Sequence, residues 1–500
     1  MSKFKKLELI LLVVVIILAV FFRFWRIRDY AVFLGDEGRD MITMRQIFTE
    51  GHLPFLGPTA SVGGFYLGPI YYWMAAPFLL LWRFDPVGPA YMVAALGVAT
   101  VFLLYKILRE TVGFWPAILT SSLYSVSPLI VRYSRSSWNP NPLPFFSLLM
   151  IYFLYLAVTR NRFIYFLLSG ACFGIVIQLH YLAAILIVIY FAIVVLTVNF
   201  RKWPLLFLNF LLGFIITFSP FLTFEIRHNF PNFKTILEFV TRGSTLGFKT
   251  YNFLWSIPNT GNTLLEELTN LKGIAITRLV FWVLVLGGFF GLYKNWKDSN
   301  KRLIYLIGLT WFLGGLTGLR FYAGTIFDYY FGLMFVAPFL LAGLVIAIFW
   351  QNKVLRIITA GVVVNALVFF ALNGFYRSPP NRLIDQTSRA ADFIIEQSGN
   401  EPFNFALISD HNSNHAYRYF LEIKGHKPVE LETMITNQLL IVCESKQCAP
   451  LGHPIWEIAG FGRAEIHQEW ELPNIPIRVF RLIHWSGAPS PAGKPAIKEG

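Results

Sequence analysis

The sequence predicts an all-α polytopic membrane protein of about 11 transmembrane helices plus a re-entrant or interfacial segment, followed by a small C-terminal α/β extracytoplasmic domain. Of its 500 residues, 56% are hydrophobic and 14% are charged, whereas soluble domains carry about 25% charged residues. Apolar stretches of spanning length recur between residues 7 and 372. The net charge of +14 does not indicate a nucleic-acid partner, because the Lys and Arg residues stand in short runs between these stretches.

The first apolar run, residues 7–22, follows three lysines and precedes bulky aromatic residues, with no small-residue cleavage site. We therefore expect an uncleaved signal anchor whose N-terminus is cytoplasmic. Ten further runs follow at 87–108, 114–131, 144–158, 163–179, 181–198, 204–224, 279–293, 303–319, 329–350 and 354–372. With alternating sides, the short basic loops all fall in the cytoplasm, as the positive-inside rule requires. They contain Lys106, Arg109, Arg160, Arg162, Arg201, Lys202, the segment 294–302, Lys353 and Arg356.

One apolar run, residues 65–82, does not fit this alternation. If it crossed the membrane, every later basic loop would move outside. We therefore predict that it is re-entrant or lies in the outer interface. The glycines and prolines in and before it suit a broken element that lines a protein-enclosed cavity; they are Gly63, Gly64, Gly68, Pro69 and Pro77.

The expected domains are a polytopic membrane domain over 1–373, an α/β domain over 374–485, and a disordered Pro-, Gly- and Lys-rich tail over 486–500. The largest outer loops of the membrane domain are 23–86 and 225–278. Because the polar material lies nearly all on one face, we expect a multi-pass protein of the cell inner (plasma) membrane with its site on the outer surface. An exported compartment would permit a disulfide between Cys443 and Cys448, and the sequence leaves open whether it forms.

The most informative local sequence follows the first span and contains Asp36, Glu37, Arg39 and Asp40. A helix from Asp36 would place its apolar side chains on one face, so we expect it to lie along the outer leaflet; these are Met41, Met44, Ile47 and Phe48. In one interpretation, Asp36 only caps this helix while Glu37 and Asp40 face water. In the other, an ionised carboxylate at the membrane surface serves as a general base for an acceptor hydroxyl.

At these residues the sequence resembles a known family, the C-type polytopic glycosyltransferases, and is most similar to the protein O-mannosyltransferases and the lipid A aminoarabinose transferases. The resemblance rests on an Asp-Glu pair in the first outer loop, many spans, an outer C-terminal domain and the element Gly68-Pro69-Ile70-Tyr71-Tyr72-Trp73. It implies a polyprenyl-phosphate-linked sugar donor and inverting transfer to a protein, glycan or lipid acceptor. It also implies that Asp36 is the catalytic base, with Glu37 as a secondary candidate.

The resemblance assigns no certain cofactor. Relatives often carry a second acidic residue in the next outer loop, and a divalent metal would be held there. This chain has Trp138-Asn139-Pro140-Asn141 at that place, which weakens the expectation of a metal.

Basic and aromatic residues at the outer ends of the spans are the candidates for binding the donor phosphate, since Arg can clamp phosphate oxygens. Each has a structural alternative: the arginines could extend to lipid headgroups, the histidine between two spans could be buried and hydrogen-bonded, and the tyrosines could belong to the aromatic belt. The candidates are Arg227, His228, Arg132, Arg135, His180, Arg320, Tyr329 and Tyr330.

Other functional classes remain open. A lipid or lipid-linked oligosaccharide transporter would also need many spans and basic outer groups, but it predicts ionisable residues at mid-membrane depth, where this sequence has few. A membrane scaffold would give Asp36 no task. A phosphotransferase would need the same phosphate-binding groups as a glycosyltransferase.

Overall fold

The computed structural model describes residues 3–60, 63–242, 253–273, 275–322, 324–445, 447–487, 489 and 491–496. These residues form two compact units. The membrane unit comprises Met1–Ile27, Leu53–Phe78 and Pro89–Pro379, and the C-terminal unit comprises Arg28–His52, Leu79–Gly88 and Pro380–Gly500.

The helices, in chain order, are α1 (Lys3–Phe24), α2 (Ile27–Tyr30), α3 (Gly35–Thr49), α4 (Ile70–Leu81), α5 (Val87–Thr111), α6 (Phe114–Val126), α7 (Pro128–Tyr133), α8 (Leu143–Arg160), α9 (Ile164–Leu179), α10 (Ile185–Thr197), α11 (Trp203–Arg227), α12 (Pro231–Arg242), α13 (Phe253–Thr269), α14 (Ala275–Lys294), α15 (Ser299–Arg320), α16 (Ala337–Phe349), α17 (Lys353–Leu372), α18 (Leu383–Ser398), α19 (His415–Ile423) and α20 (Trp456–Ala459). The strands are β1 (Asn404–Ile408), β2 (Gln438–Cys443), β3 (Ala464–Glu471) and β4 (Arg478–His484).

The polytopic helical fold class is confirmed. Within the described residues, seven helices are long and apolar enough to cross a membrane, and eight if α16 and the short turn before it count as one bent span. The prediction of about 11 spans is not confirmed. One reason is that the predicted run 114–131 is divided between α6, of 13 residues, and α7, of six, with Pro128 at the start of α7. Proline removes a backbone donor and so favours such a break.

The segment 65–82 contains α4, which has 12 residues. At 1.5 Å per residue, a helix of this size is about 18 Å long, while the hydrocarbon core of a bilayer is about 30 Å thick. The length of α4 therefore agrees with the prediction of an element that does not cross the membrane.

The C-terminal unit contains a four-stranded sheet in the order β1-β2-β4-β3. Strands β1 and β2 are parallel, and β4 runs antiparallel to both of its neighbours. The small α/β domain predicted for this region is thus confirmed. The Cys443–Cys448 disulfide, which the sequence left open, is present at the end of β2.

The tail differs from the prediction of disorder over 486–500. In its described part, Ile435 N–H donates to the carbonyl oxygen of Lys494 at 2.8 Å, and Ala496 N–H donates to that of Leu431 at 2.9 Å. These backbone hydrogen bonds fix residues 493–496 to the sheet domain. Residues 488, 490 and 497–500 lie outside the described residues.

The acidic helix α3 also differs from its prediction. It packs against α19 within the C-terminal unit, and Met41 and Met44 are fully buried in protein, so these residues do not face the outer leaflet. Glycine makes this packing fit: a Cβ at Gly38 would lie 2.3 Å from the backbone nitrogen of Ala416. The predicted boundary between 373 and 374 therefore separates segments that the structure joins, because residues 28–52 and 79–88 form one unit with residues after 379.

Candidate active site

The candidate residues fall in both units. In the C-terminal unit, the acidic motif forms the first turn of α3. Leu34, which precedes the helix, has no side-chain acceptor for the free N–H groups of that turn. Asn412 supplies one, since its Oδ1 accepts a hydrogen bond from Gly35 N–H at 2.8 Å. Glu37 Oε2 accepts from Leu34 N–H at 3.0 Å, as in one half of a capping box.

Of the three carboxylates in this motif, only that of Asp36 is exposed: its side chain is 55% accessible, against 1% for Asp40, and Glu37 is buried. Arg39 bridges two of them, donating from Nη1 to Asp36 and from Nη2 to Asp40, each at 2.9 Å. The interpretation in which Asp36 caps α3 while Glu37 and Asp40 face water is therefore wrong. Asp36 presents an open carboxylate at the positive end of a helix.

The side chains of the acidic motif are not grouped around a common point as metal ligands would be. Among the described residues, no three His, Cys, Asp or Glu side chains lie close enough together to hold a metal ion. The Arg39 guanidinium places a positive charge between Asp36 and Asp40. The residues present thus do not fit a divalent metal at this place.

The Glu37 carboxyl is buried and has a raised pKa. Burial, helped by the charges of Asp40 and Asp36, raises the pKa of this carboxyl to about 7, against the lowering effect of the hydrogen bond from Leu34 N–H. A buried carboxyl that accepts a hydrogen bond from Leu34 N–H is suited to holding the turn before α3. It is less suited to contacting an acceptor hydroxyl.

This pKa predicts a pH-dependent stability. The folded-state pKa of Glu37 exceeds the ordinary value of 4.5. The contribution of this carboxyl to the free energy of unfolding is therefore fully present below about pH 4.5 and is lost as the pH rises through about 7. We expect the thermal unfolding midpoint of the purified protein to fall between pH 5 and pH 8, and Glu37→Gln to flatten this dependence. Glu50→Gln, at the exposed far end of α3, is the matched control. If the unfolding midpoint of Glu37→Gln fell with pH as steeply as that of the wild type, Glu37 would not be the group that causes the pH dependence.

In the membrane unit, Arg227 is the last residue of α11. Its side chain is exposed and makes no hydrogen bond or ion pair with any described residue. The chain around it is fixed by the buried Glu225, which accepts from Asn232 Nδ2 at 2.7 Å and from Phe233 N–H at 3.1 Å. His228 stacks on Phe224 with ring centroids 4.1 Å apart. Arg227 is thus an open cation on a firmly held helix end.

Arg132 and Arg135 have different surroundings. Arg132 is exposed and pairs with Asp328, which also accepts from the Tyr133 hydroxyl at 2.5 Å. Arg135 is 2% exposed and donates to the carbonyl oxygens of Phe22 and Trp25, each at 2.8 Å. Its guanidinium therefore caps the C-terminal end of α1.

The structure brings His180, Tyr329 and Tyr330 together. The ring centroid of His180 lies 5.8 Å from that of Tyr329 and 5.2 Å from that of Tyr330. Burial lowers the pKa of His180 to about 4, so the imidazole is neutral, and its Nδ1 accepts from Leu182 N–H at 3.2 Å. Three aromatic neighbours were missed by the sequence analysis, although aromatic residues at the outer ends of spans were a usable signal: Trp138, Tyr181 and Tyr322.

A cavity of about 730 Å³ lies along α10 and α15 in the membrane unit. Its lining is almost entirely apolar, with Tyr181 and Tyr322 among the polar exceptions. The α15 part of the lining runs from Leu306 to Gly318, a rise of about 18 Å at 1.5 Å per residue. Arg320 stands at the end of α15, and its Nε is buried without a hydrogen-bond partner in the described residues. We call this cavity the α10–α15 groove.

Residues 67–224 match the family model described as dolichyl-phosphate-mannose-protein mannosyltransferase. No curated protein matches the sequence.

Several solved structures share the fold. ArnT from Cupriavidus metallidurans in the apo state has a TM-score of 0.59 at 12% identity, covering 96% of this chain and 98% of that chain. The same protein bound to undecaprenyl phosphate has a TM-score of 0.58 at 13% identity, covering 99% and 100%. The Archaeoglobus fulgidus oligosaccharyltransferase tethered with an acceptor peptide has a TM-score of 0.51 at 14% identity, covering 87% and 69%. The predicted resemblance is confirmed: this chain is similar to polytopic C-type glycosyltransferases of the O-mannosyltransferase and ArnT kind.

Proposed function

We propose that the protein transfers a sugar from a polyprenyl-phosphate-linked donor to an acceptor hydroxyl on the outer face of the cell inner membrane. The α10–α15 groove carries this proposal, because an almost entirely apolar groove along two helices of a multi-pass protein suits a prenyl chain. The ArnT structure with undecaprenyl phosphate and the matched mannosyltransferase family support the same donor chemistry.

The donor phosphate is assigned to cations of the membrane unit. Arg227 is open, and Arg320 has a buried unpaired Nε at the end of the groove-lining helix. Both are suited to the negative charge of a phosphate. Arg132, His228, His180, Tyr329 and Tyr330 complete the proposed donor-binding set, in which His180 acts as a neutral hydrogen-bonding group. Arg135 is a positioning residue in this proposal, because carbonyl oxygens already accept from two of its nitrogens.

The reaction we propose is a displacement with inversion. The Asp36 carboxylate takes the proton of the acceptor hydroxyl, and the acceptor oxygen attacks the anomeric carbon of the sugar. The bond between that carbon and the phosphate oxygen breaks, and its electron pair leaves with the polyprenyl phosphate. Arg227 stabilises the charge that develops there, while Glu37 holds the loop of the base. The acceptor is a protein, glycan or lipid hydroxyl that approaches from outside.

The proposal is tested by supplying the full chain in proteoliposomes with a radiolabelled sugar on two polyprenyl phosphates, one of about 55 carbons and one of about 10. We expect transfer of label to an added acceptor fraction, and a lower KM for the longer donor because it fills the groove. Translocation of labelled lipid without transfer would support the transporter alternative instead.

The groove itself is tested by Ala192→Trp, since Ala192 lines it and an indole would fill part of its volume. We expect the KM for the long donor to rise about 10-fold and that for the short donor to stay within about two-fold, as expected when buried apolar contacts are lost. Leu196→Trp, on the same helix but outside the groove lining, is the matched control. Equal effects on both donors would argue against the groove as the chain site.

A further inference from the structure

Asn412 lies between β1 and α19 and reaches the first turn of α3. Its Oδ1 accepts from Gly35 N–H at 2.8 Å and from Ser413 N–H at 2.9 Å. We propose that Asn412 is the positioning residue of Asp36, and that Glu444 orients Asn412. This inference rests on the proposed function, in which Asp36 is the base.

The orientation of the Asn412 amide is set by Glu444. Both carboxylate oxygens of Glu444 accept from Asn412 Nδ2 at 3.1 Å, so Oδ1 must face Gly35. The Tyr417 hydroxyl donates to Glu444 Oε1 at 2.8 Å and holds the carboxylate in turn. A fixed amide therefore presents its acceptor to the residue next to Asp36.

Glu444 is itself firmly placed. Its backbone N–H donates to the carbonyl oxygen of Ile408 at 3.0 Å, which continues the pairing of β1 and β2. It directly follows Cys443, whose disulfide to Cys448 closes the next turn. The hydrogen bonds thus run from the sheet through Glu444 and Asn412 to the backbone beside Asp36.

Close packing adds to this restraint. A Cβ at Gly35 would lie 1.9 Å from Ser413 Oγ, and one at Gly38 would lie 2.3 Å from Ala416 N. The first turn of α3 therefore packs directly against the loop that carries Asn412 and against the start of α19. A shift of this loop would displace Asp36, and a displacement of about 1 Å in a catalytic group can cost about 100-fold in rate.

The experiment compares Asn412→Ala with Asn414→Ala in the full chain, in proteoliposomes supplied with the labelled long-chain donor. Asn414 is in the same loop, but its amide donates to Glu457 at 3.1 Å, away from α3. We expect Asn412→Ala to lower kcat about 10- to 100-fold with the donor KM within about two-fold, and Asn414→Ala to keep the wild-type kcat.

Exchanging the hydrogen-bond donor at position 412 with the acceptor at position 444 tests whether Asn412 positions Asp36 or only stabilises the fold. Asn412→Asp alone places two carboxylates together and should be slow. In the double variant Asn412→Asp/Glu444→Gln, the new amide at position 444 can donate to the new carboxylate at position 412. That carboxylate can still accept from Gly35 N–H. The kcat of the double variant should therefore return to within about five-fold of wild type. Failure of this recovery while the protein stays folded would overturn the inference.

The two proposals fail in different ways. If Asp36→Asn transfers sugar normally, the assignment of the base is wrong. If Asp36→Asn is inactive while Asn412→Ala behaves like Asn414→Ala, only the positioning role of Asn412 is wrong.

Discussion

Asp36→Asn is expected to lower kcat about 10³-fold, the middle of the range for loss of a general base. The amide keeps the size of the side chain and its hydrogen bond with Arg39, but it cannot take a proton from the acceptor. The measurement is transfer of radiolabelled sugar from a polyprenyl phosphate in membranes expressing equal amounts of folded protein.

Two comparisons make this result specific. Glu50→Gln removes an acidic group from the other end of α3, where the side chain is exposed, and should keep wild-type activity. Asp36→Glu retains a carboxylate at a shifted position and should retain part of the rate. Full transfer by Asp36→Asn would show that another group, or the donor phosphate itself, accepts the proton.

Arg227→Ala should produce the second largest loss, about 100-fold in kcat, because a charge that stabilises the departing phosphate is removed. Arg227→Lys restores the charge without the bidentate geometry and should recover part of that loss. Single-turnover transfer with saturating donor measures the effect on the chemical step.

The control for Arg227 is Lys234→Ala, which removes another exposed cation from the adjacent helix α12. It should leave kcat unchanged, since an exposed lysine on α12 has no assigned contact with the donor. An equal loss in both variants would indicate a general effect of surface charge, and would refute a specific role for Arg227.

The polytopic fold, the C-terminal sheet and the family resemblance could be predicted because hydropathy, strand patterns and the Asp-Glu motif are local in sequence. The packing of α3 could not. An apolar helix face such as that of Met41 and Met44 has the same sequence pattern whether lipid or protein covers it. In the folded chain α19 packs against α3, and the sequence pattern of α3 alone does not predict this contact. The span count of about 11 is not confirmed for a related reason, because average hydropathy does not register a break such as the one at Pro128.

The candidate phosphate ligands show a second limit. Arg132 and Arg135 are three residues apart and look equivalent in sequence, yet one is exposed and the other is buried against carbonyl oxygens at the end of α1. The difference arises because the carbonyl oxygens of Phe22 and Trp25 lie within reach of Arg135, which the local sequence does not show. The grouping of His180 with Tyr329 and Tyr330 likewise joins segments that lie about 150 residues apart in sequence.

The discontinuous C-terminal unit has a consequence for biosynthesis. Chains are made from the N-terminus, so the acidic motif emerges among the first residues, while Asn412 and Glu444 are made some 370 to 410 residues later. Until they arrive, Gly35 lacks its acceptor and α3 lacks the surface of α19. A nascent chain that ends between residues 372 and 412 would therefore carry every predicted apolar run and the Asp-Glu pair, and still lack the groups that position the base. Catalytic competence is in this way reserved for chains whose synthesis has passed the sheet domain.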